Sequence, residues 1–299
     1  MRKRSKSIRK SKSTGALHQK DVEFGSVISN GTYGIIKRGI VKDGRQEIEC
    51  VLKIIEISKD VTLQDFEREA MLLGNLSHPN IIKIHSYYTF NSFKFGNKLR
   101  KTQGVLILEK CHEENLAYRI HNHKIDDQKK LKYSIKIAET ILFLHNENII
   151  HRDIKPHNVL FGFDGQLKIC DFGSSKMKKN ITNSVCGTAD YIDLEMLTNI
   201  KKEVDHRKYD IYSFGILLWE LWSQCVPYSN YKDEHENDYQ QMTFMLHVLT
   251  TNDRPDVKKL NGCPKKIVML IKKCWQRKHS KRPKDFKEIL KTLNEVKLK

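Results

Sequence analysis

Two short segments concentrate the residues that could do chemistry. His151-Arg-Asp-Ile-Lys-Pro-His-Asn-Val-Leu160 places Asp153, Lys155 and Asn158 at steps of two and three. Leu167-Lys-Ile-Cys-Asp-Phe-Gly173 adds a second carboxylate, Asp171, eighteen residues beyond the first. Such a set suits phosphoryl transfer, which asks little covalent help of a protein and much positioning and charge neutralisation. That chemistry needs a backbone cradle for phosphates, a cation against them, oxygen ligands for metal and a base near the acceptor hydroxyl. A cradle is offered by Ile28-Ser-Asn-Gly-Thr-Tyr-Gly-Ile-Ile36, where Gly31 and Gly34 let the backbone approach phosphate without a Cβ in the way. Glycine pairs equally mark hairpin turns. Cys50-Val-Leu-Lys53 ends an apolar strand segment in a lysine, a type that ordinarily snorkels at a surface. Sixteen residues later comes Glu69, within Phe66-Glu-Arg-Glu-Ala-Met-Leu-Leu73, a partner able to hold that lysine.

These groups need elements to position them. Alternating and β-branched segments at 33–41, 48–57, 81–90 and 104–109 read as strands, and 62–75 as an amphipathic helix between them. Beyond them helical spacing takes over. Leu131, Ile135, Ala138 and Leu142 mark one face of a long helix, and Phe286, Ile289, Leu290 and Leu293 do the same after Pro283. Residues 91–103 read as an extended polar hairpin loop and 229–241 as a polar, locally acidic loop. Residues 1–20, basic and serine-rich, read as a disordered tail.

The two catalytic segments resemble the His-Arg-Asp catalytic loop and the Asp-Phe-Gly metal-binding motif of protein kinases, and the resemblance extends from Phe24 to about Leu298. His78-Pro-Asn-Ile81 resembles the turn after the first large helix of that family. Leu108-Glu-Lys-Cys111 resembles its hinge, with Leu108 as gatekeeper. Gly187-Thr-Ala-Asp-Tyr191 resembles the segment that receives a peptide substrate, and Asp210-Ile-Tyr-Ser-Phe-Gly215 the start of a buried helix. Cys274-Trp275 with Arg282-Pro283 resembles the C-terminal helices of tyrosine-kinase-like serine/threonine kinases.

The resemblance implies an α+β, bilobal protein-kinase fold. A five-stranded antiparallel sheet with one helix would occupy 21–109, a hinge 109–113 and a mainly helical lobe 113–299. ATP would bind between them under the 28–36 hairpin, touching Ile28, Ser29, Asn30, Gly31, Thr32, Tyr33, Gly34, Ile35 and Ile36. Ile36, Val51 and Leu160 would sandwich the adenine, with Glu109 and Cys111 at the hinge. Lys53 would hold the α- and β-phosphates, oriented by Glu69. Asp171 and Asn158 would bind Mg²⁺, which prefers hard oxygen donors. Asp153 would accept the hydroxyl proton, and Lys155 would steady the transferring phosphate. Cys170 would face the nucleotide or sit as an inert buried thiol.

Several positions depart from the family pattern. Ser29 replaces the first loop glycine. Asp193-Leu-Glu195 stands for Ala-Pro-Glu, with Glu195 expected to pair with Arg282. His157 replaces a glutamate that helps basophilic members bind arginine, so protein substrates need not be strictly Arg-directed. Lys155 and Thr188 are of the serine/threonine type. A phosphate on Thr182 or Ser184 could pair with Arg152. A scaffold lacking catalysis is the alternative, and it has no need for Lys53, Glu69, Asp153, Asn158 and Asp171 together.

Composition narrows the setting. The chain of 299 residues carries a net charge of +18, of which residues 1–20 supply eight Lys or Arg and no acid. That tail could contact nucleic acid, act as a nuclear-import signal or be a solvated arm. Seven cysteines without a C-x-x-C pair read as free thiols in a reducing compartment. No stretch approaches the roughly 20 apolar residues of a bilayer span. An intracellular location follows, cytoplasmic or nuclear, and the Lys/Asn/Ile-rich composition would suit a large DNA virus or an AT-rich protist.

Overall fold

The computed structural model describes residues 21–31, 34–43, 46–93, 100–177, 188–193, 205–229 and 238–298. Of the expectations above, the tail, Thr32, Tyr33, Thr182, Ser184, Gly187, Glu195 and residues 94–99 and 230–237 of the two polar loops lie outside them; the described ends of those loops belong instead to strands (91–93 and 100–103) and to a helix (238–241). The chain divides into two compact units, one of residues up to Ala70 with Ile84–Lys110, the other of Met71–Lys83 with Cys111 onward.

The first unit is an antiparallel sheet of β1 (Val22–Gly31), β2 (Gly34–Asp43), β3 (Gln46–Glu56), β4 (Ile84–Phe93) and β5 (Arg100–Glu109), in the order β1-β2-β3-β5-β4. Four of the five show in the alternation of the sequence. The first does not, because its pairing with β2 shifts register between Phe24 and Val27 and again before Ser29, and each shift breaks the period of two. β4 starts at Ile84, later than the apolar run suggests. Ile81 and Ile82 leave it to pair with Ile169 in the second unit.

Alternation sorts the sheet's side chains onto two faces. Cys50, Leu52, Ile54, Val105 and Ile107 pack with Val22 and Val41 on one. Ile55 and Leu106 meet Phe66 and Ala70 of α1 (Leu63–Asn75) on the other. α1 begins at a reciprocal cap, Asp65 N donating to Thr62 Oγ1 and Thr62 N to Asp65 Oδ2. Its approach depends on Gly104, where a Cβ would lie 2.5 Å from the Phe66 ring.

The second unit is built around α4 (Arg207–Ser223), whose residues Tyr209–Trp222 are all buried. The polar breaks in that apolar stretch are used internally: Ser213 Oγ donates to the Tyr191 carbonyl, and Glu220 accepts from the Tyr191 hydroxyl. Around it lie α2 (Leu116–Asn122), α3 (Asp127–Asn146), α5 (Asp238–Thr251), α6 (Lys265–Cys274) and α7 (Phe286–Asn294). Short strands β6 (Ile149–Ile150), β7 (Val159–Phe161), β8 (Leu167–Ile169) and β9 (Lys176–Met177) form two small ladders, β6 with β9 and β7 with β8. No helix among the described residues is long and apolar enough to cross a membrane.

The inward face of α3 is turned from the one its apolar spacing suggests. Ser134, Ile137, Ala138, Ile141 and Leu144 are buried, while Leu131, Ile135 and Leu142 sit half-buried on its flank. Polar residues share the buried stripe because they bond across to α4: Lys130 Nζ donates to the Trp222 carbonyl, and Trp222 Nε1 donates to Ser134 Oγ.

Candidate active site

In the first unit, sheet register gathers one group of the expected residues. Ile36 pairs with Lys53 and Lys53 with Leu106, while Val51 pairs with Leu108 and Cys50 with Glu109. Directly opposed residues share a face, so Ile36, Val51 and Lys53 lie on the side that carries α1. Lys53 Nζ donates to Glu69 Oε1 at 2.8 Å, and both side chains are buried. At the β1–β2 turn, Ser29 pairs with Ile36, Asn30 with Ile35 and Gly31 with Gly34. Gly34 has φ of 136°, and a Cβ there would meet the Ile54 carbonyl oxygen at 2.1 Å. No other residue fits that position without moving β3. Ile28 and Ile36 are half-buried, Ser29, Asn30 and Ile35 exposed.

The second unit gathers the other group. β6 and β7 bracket residues 151–158, and β8 ends just before Asp171. The β7–β8 ladder brings the two segments together, with Cys170 N donating to the Asn158 carbonyl at 3.0 Å. His151 ties them again: its ring is edge-on to Phe172, and its Nε2 lies 3.2 Å from the Cys170 carbonyl. Asp210, fully buried at the base, accepts from the backbone N–H groups of His151 and Arg152 and contacts His145 Nε2 at 2.8 Å. Burial works to raise that carboxyl, but His145 and the backbone donors outweigh it and hold it below its ordinary value. Arg152 and Asp171 have φ of 70° and 60°. Backbone strain of this kind in non-glycine residues persists only where the surroundings over-determine it.

Asp153 is 3% exposed and ringed by donors. Asn158 Nδ2 donates to its Oδ2 at 2.8 Å and Lys155 Nζ approaches the same oxygen at 2.9 Å, while Thr188 N donates to Oδ1 at 3.2 Å. Lys155 Nζ also donates to Thr188 Oγ1 at 2.5 Å. With Nδ2 of Asn158 held by Asp153, its Oδ1 is the remaining acceptor. An amide oxygen and the Asp171 carboxylate, one backbone hydrogen bond apart in the chain trace, are the hard donors that Mg²⁺ takes. Among the described residues no three His, Cys, Asp or Glu cluster as a metal cage. An ion held here would need further ligands from phosphate and water, as Mg²⁺ commonly has. Of the remaining expected residues, Leu160 and Cys170 are half-buried, Cys111 is buried and Glu109 is half-buried.

The protein kinase domain family model matches residues 22–293. The chain belongs to the protein kinase family. It is 31% identical over 283 residues to a probable serine/threonine-protein kinase of Dictyostelium discoideum, covering 92% of this chain and 28% of that protein. It is 30% identical to the dual specificity protein kinase zakA of the same organism, covering 89% of this chain and 34% of that one. A putative mitogen-activated protein kinase kinase kinase 7-like protein of Drosophila melanogaster is 30% identical, with 92% of this chain and 68% of that protein covered. The chain spans about a third of the length of the two Dictyostelium relatives.

One contact differs from the kinase pattern in a way the sequence does not announce. Both terminal nitrogens of Arg282 donate to the Asp193 carboxylate, where Glu195, outside the described residues, was the expected partner. His279 Nε2 joins them at 2.9 Å. Asp193 takes the place of the family's alanine two positions before that glutamate. Ile192, the residue before it, packs in a buried cluster with Tyr209 and Tyr228, and Tyr191 is buried beyond it. Burial works to raise the Asp193 carboxyl, but Arg282 and His279 hold it below its ordinary value.

Glu220 was likewise missed as a supporting residue. It lies buried in α4, accepts from the Tyr191 hydroxyl and meets His121 Nε2 at 2.8 Å. Burial, then the Glu220 charge, pushes the Tyr191 phenol well above its usual range, so that it stays a donor. A glutamate interrupting an apolar helix was the available signal.

Proposed function

We propose that the chain transfers the γ-phosphoryl group of ATP to serine or threonine hydroxyls of protein substrates. The observation that carries this reading is the Lys155 ammonium, which bridges Asp153 Oδ2 and Thr188 Oγ1. Asp153 orients the acceptor hydroxyl and takes its proton. Lys155 neutralises charge on the transferring group from the side where Thr188 holds it. Lys53, steadied by Glu69, grips the α- and β-phosphates, and the backbone around Gly31 and Gly34 covers them. Asp171 and Asn158 hold Mg²⁺, which when bound neutralises charge developing on the phosphates. Ile28, Ser29, Asn30, Thr32, Tyr33, Ile35, Ile36, Val51, Glu109, Cys111 and Leu160 line the nucleotide site.

Tyr191 and its neighbours support the segment that a peptide substrate meets, anchored below by Glu220, Ser213 and the Asp193–Arg282 pair. With His157 in the catalytic loop, substrates need no arginine before the acceptor. Such a kinase works inside a cell, in cytoplasm or nucleus.

The test is incorporation of radiolabelled phosphate from ATP and Mg²⁺ into a generic protein substrate. Asp153→Asn is expected to lower kcat by about 10²–10⁴-fold, the usual worth of a positioned base. Equal incorporation by the variant and the parent sinks the enzyme reading and leaves a scaffold. Phosphoamino-acid analysis of the product is expected to show phosphoserine and phosphothreonine. Phosphotyrosine as well would mark the dual specificity named for the zakA relative.

A further inference from the structure

The chain's positive charge is unevenly placed. Residues 21–253 hold thirty Lys or Arg against thirty-two Asp or Glu, whereas residues 254–299 hold sixteen against four. The body outside the tail therefore owes its whole excess to the C-terminal end of the second unit. Among the described residues of that stretch, thirteen cations are exposed, twelve of them lysine.

Two helices organise this charge. α6 buries Ile267, Leu270, Ile271 and Cys274 and turns Lys265, Lys266, Lys272 and Lys273 outward around Met269. α7 buries Phe286, Ile289 and Leu293 and turns Lys287 and Lys291 outward, one turn apart. Lys266 pairs with Glu295 and Lys273 with Glu288. The start of α6 thus lies by the end of α7 and the reverse, so the helices run antiparallel with their lysine rows side by side. From Lys265 to Lys273 α6 rises about 12 Å at ~1.5 Å per residue. Duplex DNA carries one charge per ~1.7 Å of axis, so the same length presents about seven phosphates.

We propose that the outward faces of α6 and α7 dock the phosphate backbone of nucleic acid, without reading its sequence. The arginines support the second half of that statement. Arg282 is buried on Asp193, and Arg254 donates to the Trp275 carbonyl beside the Tyr212 ring. Of the three arginines in the stretch, only Arg277 is exposed, so the residue type that forks onto base edges is nearly absent from this surface and lysine, a hydrated point charge, dominates it. An anionic membrane is the weaker fit. A helix lying in a lipid interface sinks its apolar face among the acyl chains, and here both apolar faces are already occupied by the protein core. Within 254–298 the large apolar side chains exposed among described residues are Val257 and Met269.

This surface shares no residue with the tail or with the residues placed above in the transfer reaction. Fluorescence anisotropy of the full chain with a short random-sequence DNA duplex, between about 50 and 200 mM salt, tests it. The joint variant Lys265→Gln, Lys272→Gln, Lys287→Gln and Lys291→Gln is expected to weaken binding at least about tenfold. It should also flatten the slope of log K against log salt by about 3.6, at ~0.9 for each of the four phosphates no longer neutralised. Phosphate incorporation into a generic substrate should be unchanged. Lys→Arg at the same four positions should keep the binding, which guards against a variant that merely misfolds. A slope equal to the parent's in the Gln variant overturns the proposal. So does loss of all salt dependence on deleting residues 1–20, or binding to phosphatidylserine vesicles with none to the duplex.

Discussion

Two buried ion pairs, one in each unit, do different work with different cations. In the first unit Lys53 reaches Glu69 across sixteen residues by a 2.8 Å contact from a flexible stem with rotatable donors. In the second, Arg282 reaches Asp193 across eighty-nine residues, with both terminal nitrogens on the carboxylate, His279 beside it and Nε on the Gln276 carbonyl. A lysine so held can trade part of its contact for a phosphate, because its charge is a point that tolerates many geometries. An arginine fork in a closed set of acceptors cannot move without leaving several groups unpaired. In the proposed function the first pair meets a ligand, whereas the second fixes the fold.

Removing the carboxylate of the second pair should have the largest effect on stability. Asp193→Ala leaves a guanidinium buried without its counter-charge, which costs about 3–5 kcal/mol. Denaturant unfolding of the variant against the parent measures it. A loss below about 1 kcal/mol would mean that Glu195 takes over, and that the family's usual pairing is in reserve.

Exchanging the cation of the first pair should produce a loss of activity instead. Lys53→Arg keeps the charge and can keep Glu69 company, but its planar fork cannot place one donor as the ammonium does. The expected fall in kcat/KM is about 10²–10³-fold, the scale of removing one preorganised group from a developing charge. The unfolding midpoint should move less than in Asp193→Ala. If Lys53→Arg instead unfolded the chain as readily while its residual activity per folded molecule matched the parent, the division of labour between the pairs would be broken.

The sequence made the first pair legible and concealed the second, for a physical reason. Asp153, Lys155, Asn158 and Asp171 are fixed by local loops and two short ladders, so their spacing along the chain carries most of their geometry. Lys53 and Glu69 sit on adjoining elements. Asp193 and Arg282 meet only through tertiary packing of α4 and the chain around it, which no local pattern encodes. α3 failed in its face for a related reason: Lys130 and Ser134 are buried through hydrogen bonds to Trp222, so apolar spacing misplaces the stripe. The first strand hid behind a register shift, and Gly104 behind the ring of a residue thirty-eight positions away.

The smallest expected effect is the one that separates charge from shape in the second pair. Asp193 is held below the ordinary carboxylate value of 3.8, chiefly by Arg282 against the opposing cost of burial. A depressed folded pKa means that the unfolded chain binds the proton first, so the contribution is complete above the unfolded value. It drains away as pH falls through the folded one. Asp210, held low by His145, follows the same rule, so the parent's acid profile alone would mix the two. The difference in unfolding free energy between the parent and Asp193→Asn removes the shared part. That difference should shrink below about pH 4, the range in which an ordinary aspartate takes its proton. A difference that stayed constant to the lowest pH at which the parent is folded would show that Arg282 needs only an acceptor of the right shape. The carboxylate's charge would then contribute nothing, and the contrast with Lys53, where charge is the function, would be complete.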